Sequence, residues 1–132
     1  MGLDVGDRRI GVAVSDELGL TAQPVLTLRR KNLRADLGSL ARLLRKYACA
    51  KVVVGNPLYM SGDTSPQALK IQAFARALEE QTGVKLSLWD ERLSTTEAHR
   101  HLDAAGHRGE RRGVIDQVAA VLILQNFLDA HR

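Results

Sequence analysis

The amino-acid sequence predicts an α/β domain: a mixed five-stranded sheet, with element order β-β-β-α-β-α-β-α-α, flanked by helices. Three patterns carry that expectation. The chain opens on two short apolar runs, Met1–Val5 and Ile10–Ser15, joined by the turn Gly6-Asp7-Arg8-Arg9, which reads as a hairpin. From Asn32 the apolar residues recur at helical spacing instead. Beyond that, brief apolar runs alternate with helical stretches, the mark of right-handed parallel crossovers joined to an antiparallel start.

Each element has its own justification. Leu18–Ala22 reads as loop and Val25–Leu28 as the third strand. Leu33, Leu37, Leu40, Ala41, Leu44 and Tyr47 then line one face of a helix whose other face carries Arg34, Arg42, Arg45 and Lys46. Lys51–Val54 is a buried strand stopped by Gly55-Asn56-Pro57, and Ser65-Pro66 supplies an N-cap and a first-turn proline for a second helix ending at Gly83. Val84–Trp89 is the fifth strand. Ser94-Thr95-Thr96-Glu97 has capping-box spacing for a third helix that stops near Gly106. His107–Gly113 reads as a basic loop, and Val114–Leu128 is apolar on so many faces that it requires burial as a helix against the sheet.

Composition bounds the class. A chain of 132 residues with 45% apolar content fits a single domain with a real core, 1–132. Nineteen Lys and Arg against fifteen Asp and Glu give a net charge of +4, which favours a polyanionic partner. The lone Cys49 cannot close an internal disulfide, there is no secretory leader, and no apolar run approaches the ~20 residues of a membrane span. A cytoplasmic protein with no membrane partner is expected.

Asp4 stands in the middle of an apolar strand, where a carboxylate is costly unless something positive holds it. It is a capping group, half of an ion pair with Arg8 or Arg9, or a metal ligand. In mixed sheets ligands gather beyond the carboxyl ends of the parallel strands, which is where Asp90-Glu91-Arg92 falls. Glu91 could equally salt-bridge Arg92 or Lys85. Asp116 falls in the first turn of the predicted last helix, where the macrodipole favours an acid regardless of chemistry.

Four blocks, LDVGDRRIGVAVSD, VVVGNPLYMSG, DERLSTTEA and IDQVAAVLILQNFLD, together resemble the YqgF family, also called RuvX. The resemblance spans nearly the whole chain in order. It implies a ribonuclease H-like fold and a Holliday junction resolvase-like nuclease acting on the 5′ end of precursor 16S ribosomal RNA. It also implies that Asp4, Glu91 and Asp116 are the catalytic, metal-binding acids of a two-metal site for Mg²⁺ or Mn²⁺. Such ions prefer oxygen donors, and a pair of them activates a water and stabilises the leaving oxygen at phosphorus. Two features depart from the pattern. Relatives usually carry more residues ahead of the first aspartate, and in the related junction resolvases the glutamate follows the fourth strand, where this chain reads Gly55-Asn56-Pro57.

Around these acids, Gly6 and Gly11 read either as turn and twist glycines or as gaps that let a phosphate backbone approach Asp4. Asn56 reads as a substrate-contacting residue near the metals. Arg8, Arg9, Arg92, Arg108, Arg111 and Arg112 read as phosphate contacts, whereas Arg29-Arg30-Lys31 with Arg34 reads equally as a solvated face. Asp7 reads as a turn former, Asp16 as a strand-terminating residue and Asp90 as pointing away from Glu91. The four histidines lack zinc-site spacing. Aromatics are few, which favours recognition by backbone charge and shape over base stacking. Branched DNA is the alternative substrate, and a silent nucleic-acid-binding module the alternative class. The first block also looks like the phosphate loop of actin-like ATPases and sugar kinases, but those need two such domains. A monomer or a homodimer is compatible with all of this.

Overall fold

The computed structural model describes residues 1–59, 61–91 and 111–131. Strand β1 (Gly2–Val5) pairs antiparallel with β2 (Arg9–Ser15), which pairs antiparallel with β3 (Ala22–Arg29). On its other side β1 runs parallel to β4 (Lys51–Asn56), and β4 runs parallel to β5 (Lys85–Asp90). The result is the expected mixed five-stranded sheet, in the order β3-β2-β1-β4-β5.

Helix α1 (Leu33–Lys46) starts where the Asn32 side chain accepts the Ala35 N–H at 2.8 Å. Helix α2 (Pro66–Thr82) starts on Ser65, whose hydroxyl accepts the Ala68 N–H at 3.0 Å, and ends on Gly83 at φ 71°, a left-handed cap. Helix α3 (Arg111–Ala130) is the last element. The expected helix over 94–106 lies outside the described residues.

Strand alternation divides the core in two. Leu3, Val5, Ile10, Val12, Val52 and Val54 join the apolar sides of α1 and α2 in one buried cluster. Ala13 and Val53, on the other face, meet Ala120, Ile123, Leu124 and Phe127 of α3, with Trp89 packed at the margin. There Trp89 and Phe127 cross edge to face, 5.9 Å between centroids.

Several expected boundaries move, each for a local reason. Strand β3 extends to Ala22 because Gln23 and Ala22 complete the ladder with Val14 and Ser15. Strand β4 continues through Gly55 and Asn56, which pair with Trp89 and Asp90. Arg111, Arg112 and Gly113 belong to α3 and not to a basic loop. The Thr27 hydroxyl donates to the Gly113 carbonyl, and Gln117 Nε2 donates to that hydroxyl at 3.3 Å, so this first turn is tied to β3. Residues Gly113–Ala130 are long and apolar enough to cross a membrane by length and composition alone, contrary to the sequence reading. Here the stretch covers the second sheet face, with Ala120, Ile123, Leu124 and Phe127 buried.

Candidate active site

Alternation along β1 sends Leu3 and Val5 toward α1 and α2 and leaves Gly2 and Asp4 on the α3 face. Both ladder neighbours of Asp4 are glycines. Gly11 of β2 is its antiparallel partner, and the parallel register that sets Leu3 beside Val54 brings Asp4 beside Gly55 of β4. Residues directly opposite one another share a face, so the two glycines leave a gap on each side of the carboxylate.

Each gap is filled by another acid-bearing residue. A Cβ on Gly11 would overlap the backbone carbonyl of Asp116, so α3 rests directly on β2 at that point. A Cβ on Gly55 would overlap Oε1 of Glu91 and lie 2.6 Å from Cδ1 of Ile123. The Glu91 carboxylate, delivered from just beyond β5, thus takes the space that a side chain at position 55 would occupy.

Electrostatics distinguish the acids. Asp116 Oδ2 accepts from Arg9 Nε at 2.6 Å, a charge-assisted pair with 34% and 20% of the two side chains exposed. Glu91 is different: burial raises its pKa, and the negative charge of Asp90 adds to the rise. Asp4 is half-buried. Among the described residues, Asp4, Glu91 and Asp116 included, no group of three or more His, Cys, Asp or Glu side chains is placed to hold a metal ion. The donor set nonetheless fits a hard cation. Such an ion takes one or two carboxylates and completes its shell with water and phosphate oxygens, and its charge would relieve the buried Glu91.

The other expected site residues scatter. Gly6 holds the hairpin turn, its N–H donating to the Arg9 carbonyl at 2.8 Å, and Arg8 is exposed beside it. Gly11 does not open a path for phosphate, because the Asp116 backbone occupies that space. Asn56 is a correction: it sits on the α2 face, buried, with its side chain accepting from Gln72 Nε2 at 3.4 Å, so it does not face the acids. Arg9 pairs with Asp116. Asp116 itself stands in the second turn of α3, since the helix starts at Arg111, and the macrodipole does not explain it. Arg92 and Arg108 lie outside the described residues; Arg111 and Arg112 open α3. Asp7 is an exposed turn residue 3.9 Å from Lys70, and Asp16 caps the β2–β3 loop by accepting the Leu20 N–H at 2.7 Å.

Sequence reasoning missed Arg30 and Asp36. Arg30 Nε meets Asp36 Oδ2 at 3.0 Å, its Nη1 donates to the Gly6 carbonyl at 2.9 Å, and its guanidinium stacks on Phe74 at 4.9 Å. Asp36 is 2% exposed. An acid in the first turn of a helix that begins right after Arg30-Lys31 was the available signal.

A mixed five-stranded sheet with helices on its two faces is an architecture that solved structures share. The chain is similar to Thermus thermophilus RuvC in complex with a Holliday junction substrate, with TM-score 0.62 and 13% identity, covering 98% of this chain and 92% of that one. It is also similar to fowlpox virus resolvase in complex with Holliday junction DNA, with TM-score 0.55 and 12% identity over 98% and 96%. These likenesses give a RuvC-like, ribonuclease H-like fold. The chain belongs to the RuvX family, whose model, described as Holliday junction resolvase, matches residues 1–130. A relative from Myxococcus xanthus is 53% identical over all of this chain and 88% of its own length, and one from Moorella thermoacetica is 52% identical over 98% and 93%. Both are provisionally named as pre-16S rRNA nucleases.

Proposed function

We propose that this protein is a divalent-metal-dependent nuclease that hydrolyses phosphodiester bonds and trims the 5′ end of precursor 16S ribosomal RNA in the cytoplasm. The observation that carries the reading is the pair of glycine gaps, Gly11 and Gly55, that bring Asp116 and Glu91 to either side of Asp4. The relatives' names support the RNA substrate.

Asp4, Glu91 and Asp116 would hold Mg²⁺ or Mn²⁺, which when bound supplies an activated water and stabilises charge on the leaving oxygen. The chain's own residues prepare for this. Asp4 is fixed by the central strand, Glu91 is kept close by the absence of a side chain at position 55, and Arg9 orients the Asp116 carboxylate. Arg8, Arg92, Arg108, Arg111 and Arg112, with Gly6 leaving room at the turn, are the proposed phosphate contacts.

Asp4→Asn, Glu91→Gln and Asp116→Asn are each expected to reduce cleavage at least a hundredfold while leaving the circular dichroism spectrum unchanged. The assay compares a precursor 16S leader RNA with a four-way DNA junction, in Mg²⁺ and in Mn²⁺. RNA cleavage that disappears in Asp4→Asn supports the proposal, and wild-type rates in the folded variants overturn it. Cutting of the junction alone would favour the second reading, a resolvase, which the family description and both similar structures make specific.

A further inference from the structure

Beside the acids, the edge of the sheet carries a row of cations that the site does not use. Arg29, the last residue of β3, is the ladder partner of Arg9, so the two stand side by side on the α3 face. Past Arg29 the chain turns into α1, and there a groove of about 510 Å³ is walled by Arg29, Lys31, Arg34 and Arg42. All four are exposed, and among the described residues none is ion-paired.

We infer that this groove is a second nucleic-acid contact, a rail that takes the phosphodiester backbone flanking the cleavage site; it rests on the nuclease reading above. The one acid in its wall, Asp36, is turned inward and consumed by Arg30 and by the Lys31 N–H at 3.0 Å. Four neighbouring positive charges therefore remain uncompensated, an arrangement that repels itself until a polyanion neutralises it. Arg34, Gly38 and Arg42 recur every four residues along one side of α1, spanning ~12 Å, which matches three to four phosphates of one helical strand. Gly38 leaves the floor low, since a Cβ there would meet nothing nearer than Arg42 Nη1 at 3.9 Å. No aromatic residue lines the groove, so it reads charge and shape and not bases. Arg29 joins this rail to Arg9 and hence to Asp116, which gives the bound strand a continuous path from the α1 side to the acids.

The test is fluorescence-anisotropy binding of a labelled RNA hairpin with a single-stranded leader, titrated across a range of KCl. Combining Arg29→Gln, Lys31→Gln, Arg34→Gln and Arg42→Gln should lower the slope of log K against log salt by about 2–3 and weaken binding about tenfold or more at low salt. A control with equal charge loss elsewhere, Arg45→Gln, Lys46→Gln, Arg76→Gln and Lys85→Gln, should leave the slope unchanged. Gly38→Glu provides a second variant. It places an acid on the groove floor at a helical position that favours it over glycine, so it should melt no lower than wild type yet bind more weakly. Equal slopes in wild type and the groove variant, or equal losses in groove and control variants, overturn the inference while leaving the nuclease reading standing. If the wild-type protein binds no nucleic acid, both fall.

Discussion

Two glycines and one glutamate show how single residues shape this candidate site. Alanine at Gly11 would push against the Asp116 backbone, which cannot move without lifting α3, whereas alanine at Gly55 meets mainly the movable end of Glu91 and a methyl of Ile123. Gly11→Ala should therefore cost about 1–3 kcal/mol in denaturant unfolding, and Gly55→Ala should cost less stability but displace Glu91 and lose most activity. Comparable unfolding costs for the two would contradict this division. Glu91 also lends itself to a pH test. Its pKa is raised in the folded state, so the native protein holds this proton more tightly than the unfolded chain, and stability falls as pH rises through the raised value. Glu91→Gln in metal-free protein should abolish cleavage yet melt a few degrees higher at neutral pH, with a flatter decline of stability above the ordinary carboxylate range. A lower melting temperature would show that the carboxylate is instead well compensated.

Among the elements, the sheet edge that carries the candidate site is braced by an ion pair outside it. Arg30, at the exit of β3, binds the β1–β2 turn through the Gly6 carbonyl, the start of α1 through Asp36, and α2 through Phe74. Removing it would leave Asp36 buried without its counter-charge, and the hairpin bearing Asp4 would lose its brace. Arg30→Ala is expected to cost about 3–5 kcal/mol, while replacing the pair together, Arg30→Met with Asp36→Leu, should cost much less. A double-mutant cycle measured by chemical unfolding checks this. No coupling between the two sites would mean that the pair contributes nothing beyond its separate contacts.

For the whole molecule, the two apolar clusters lie on opposite faces of one sheet and share its strands, so neither can melt alone without exposing the other's backing. Leu40→Ala on the α1 face and Ile123→Ala on the α3 face should each lower stability by about 2–5 kcal/mol within a single unfolding transition. Trp89, the sole tryptophan, reports on the α3 side, and far-ultraviolet circular dichroism reports on all the helices. Non-coincident curves would reveal α3 as a separately melting unit. Size also bears on substrate, because cutting a four-way junction symmetrically requires two sites and hence a dimer, while trimming an RNA end requires one. Light scattering on the protein with each substrate separates these.

The order of the described elements, the hairpin and the Ser65 N-cap were legible in the sequence, because periodicity, capping residues and turn glycines are local signals. The acids were identified by resemblance, and the tertiary structure decided how they relate. Only sheet register reveals that Asp4 lies between two glycines, and only the packing of α3 shows what each gap receives. Asn56 was misjudged because a two-residue extension of β4 sets which face it occupies, and face is decided by pairing with β5 and not by the Gly-Asn-Pro string. Arg30 was read as part of a charged run because a sequence shows that charges are adjacent but not which of them turn inward. The chain by itself thus put forward the acids on which the proposal rests. Their arrangement depended on contacts between segments distant in sequence, such as Gly11 with Asp116 and Gly55 with Glu91, which no local pattern encodes.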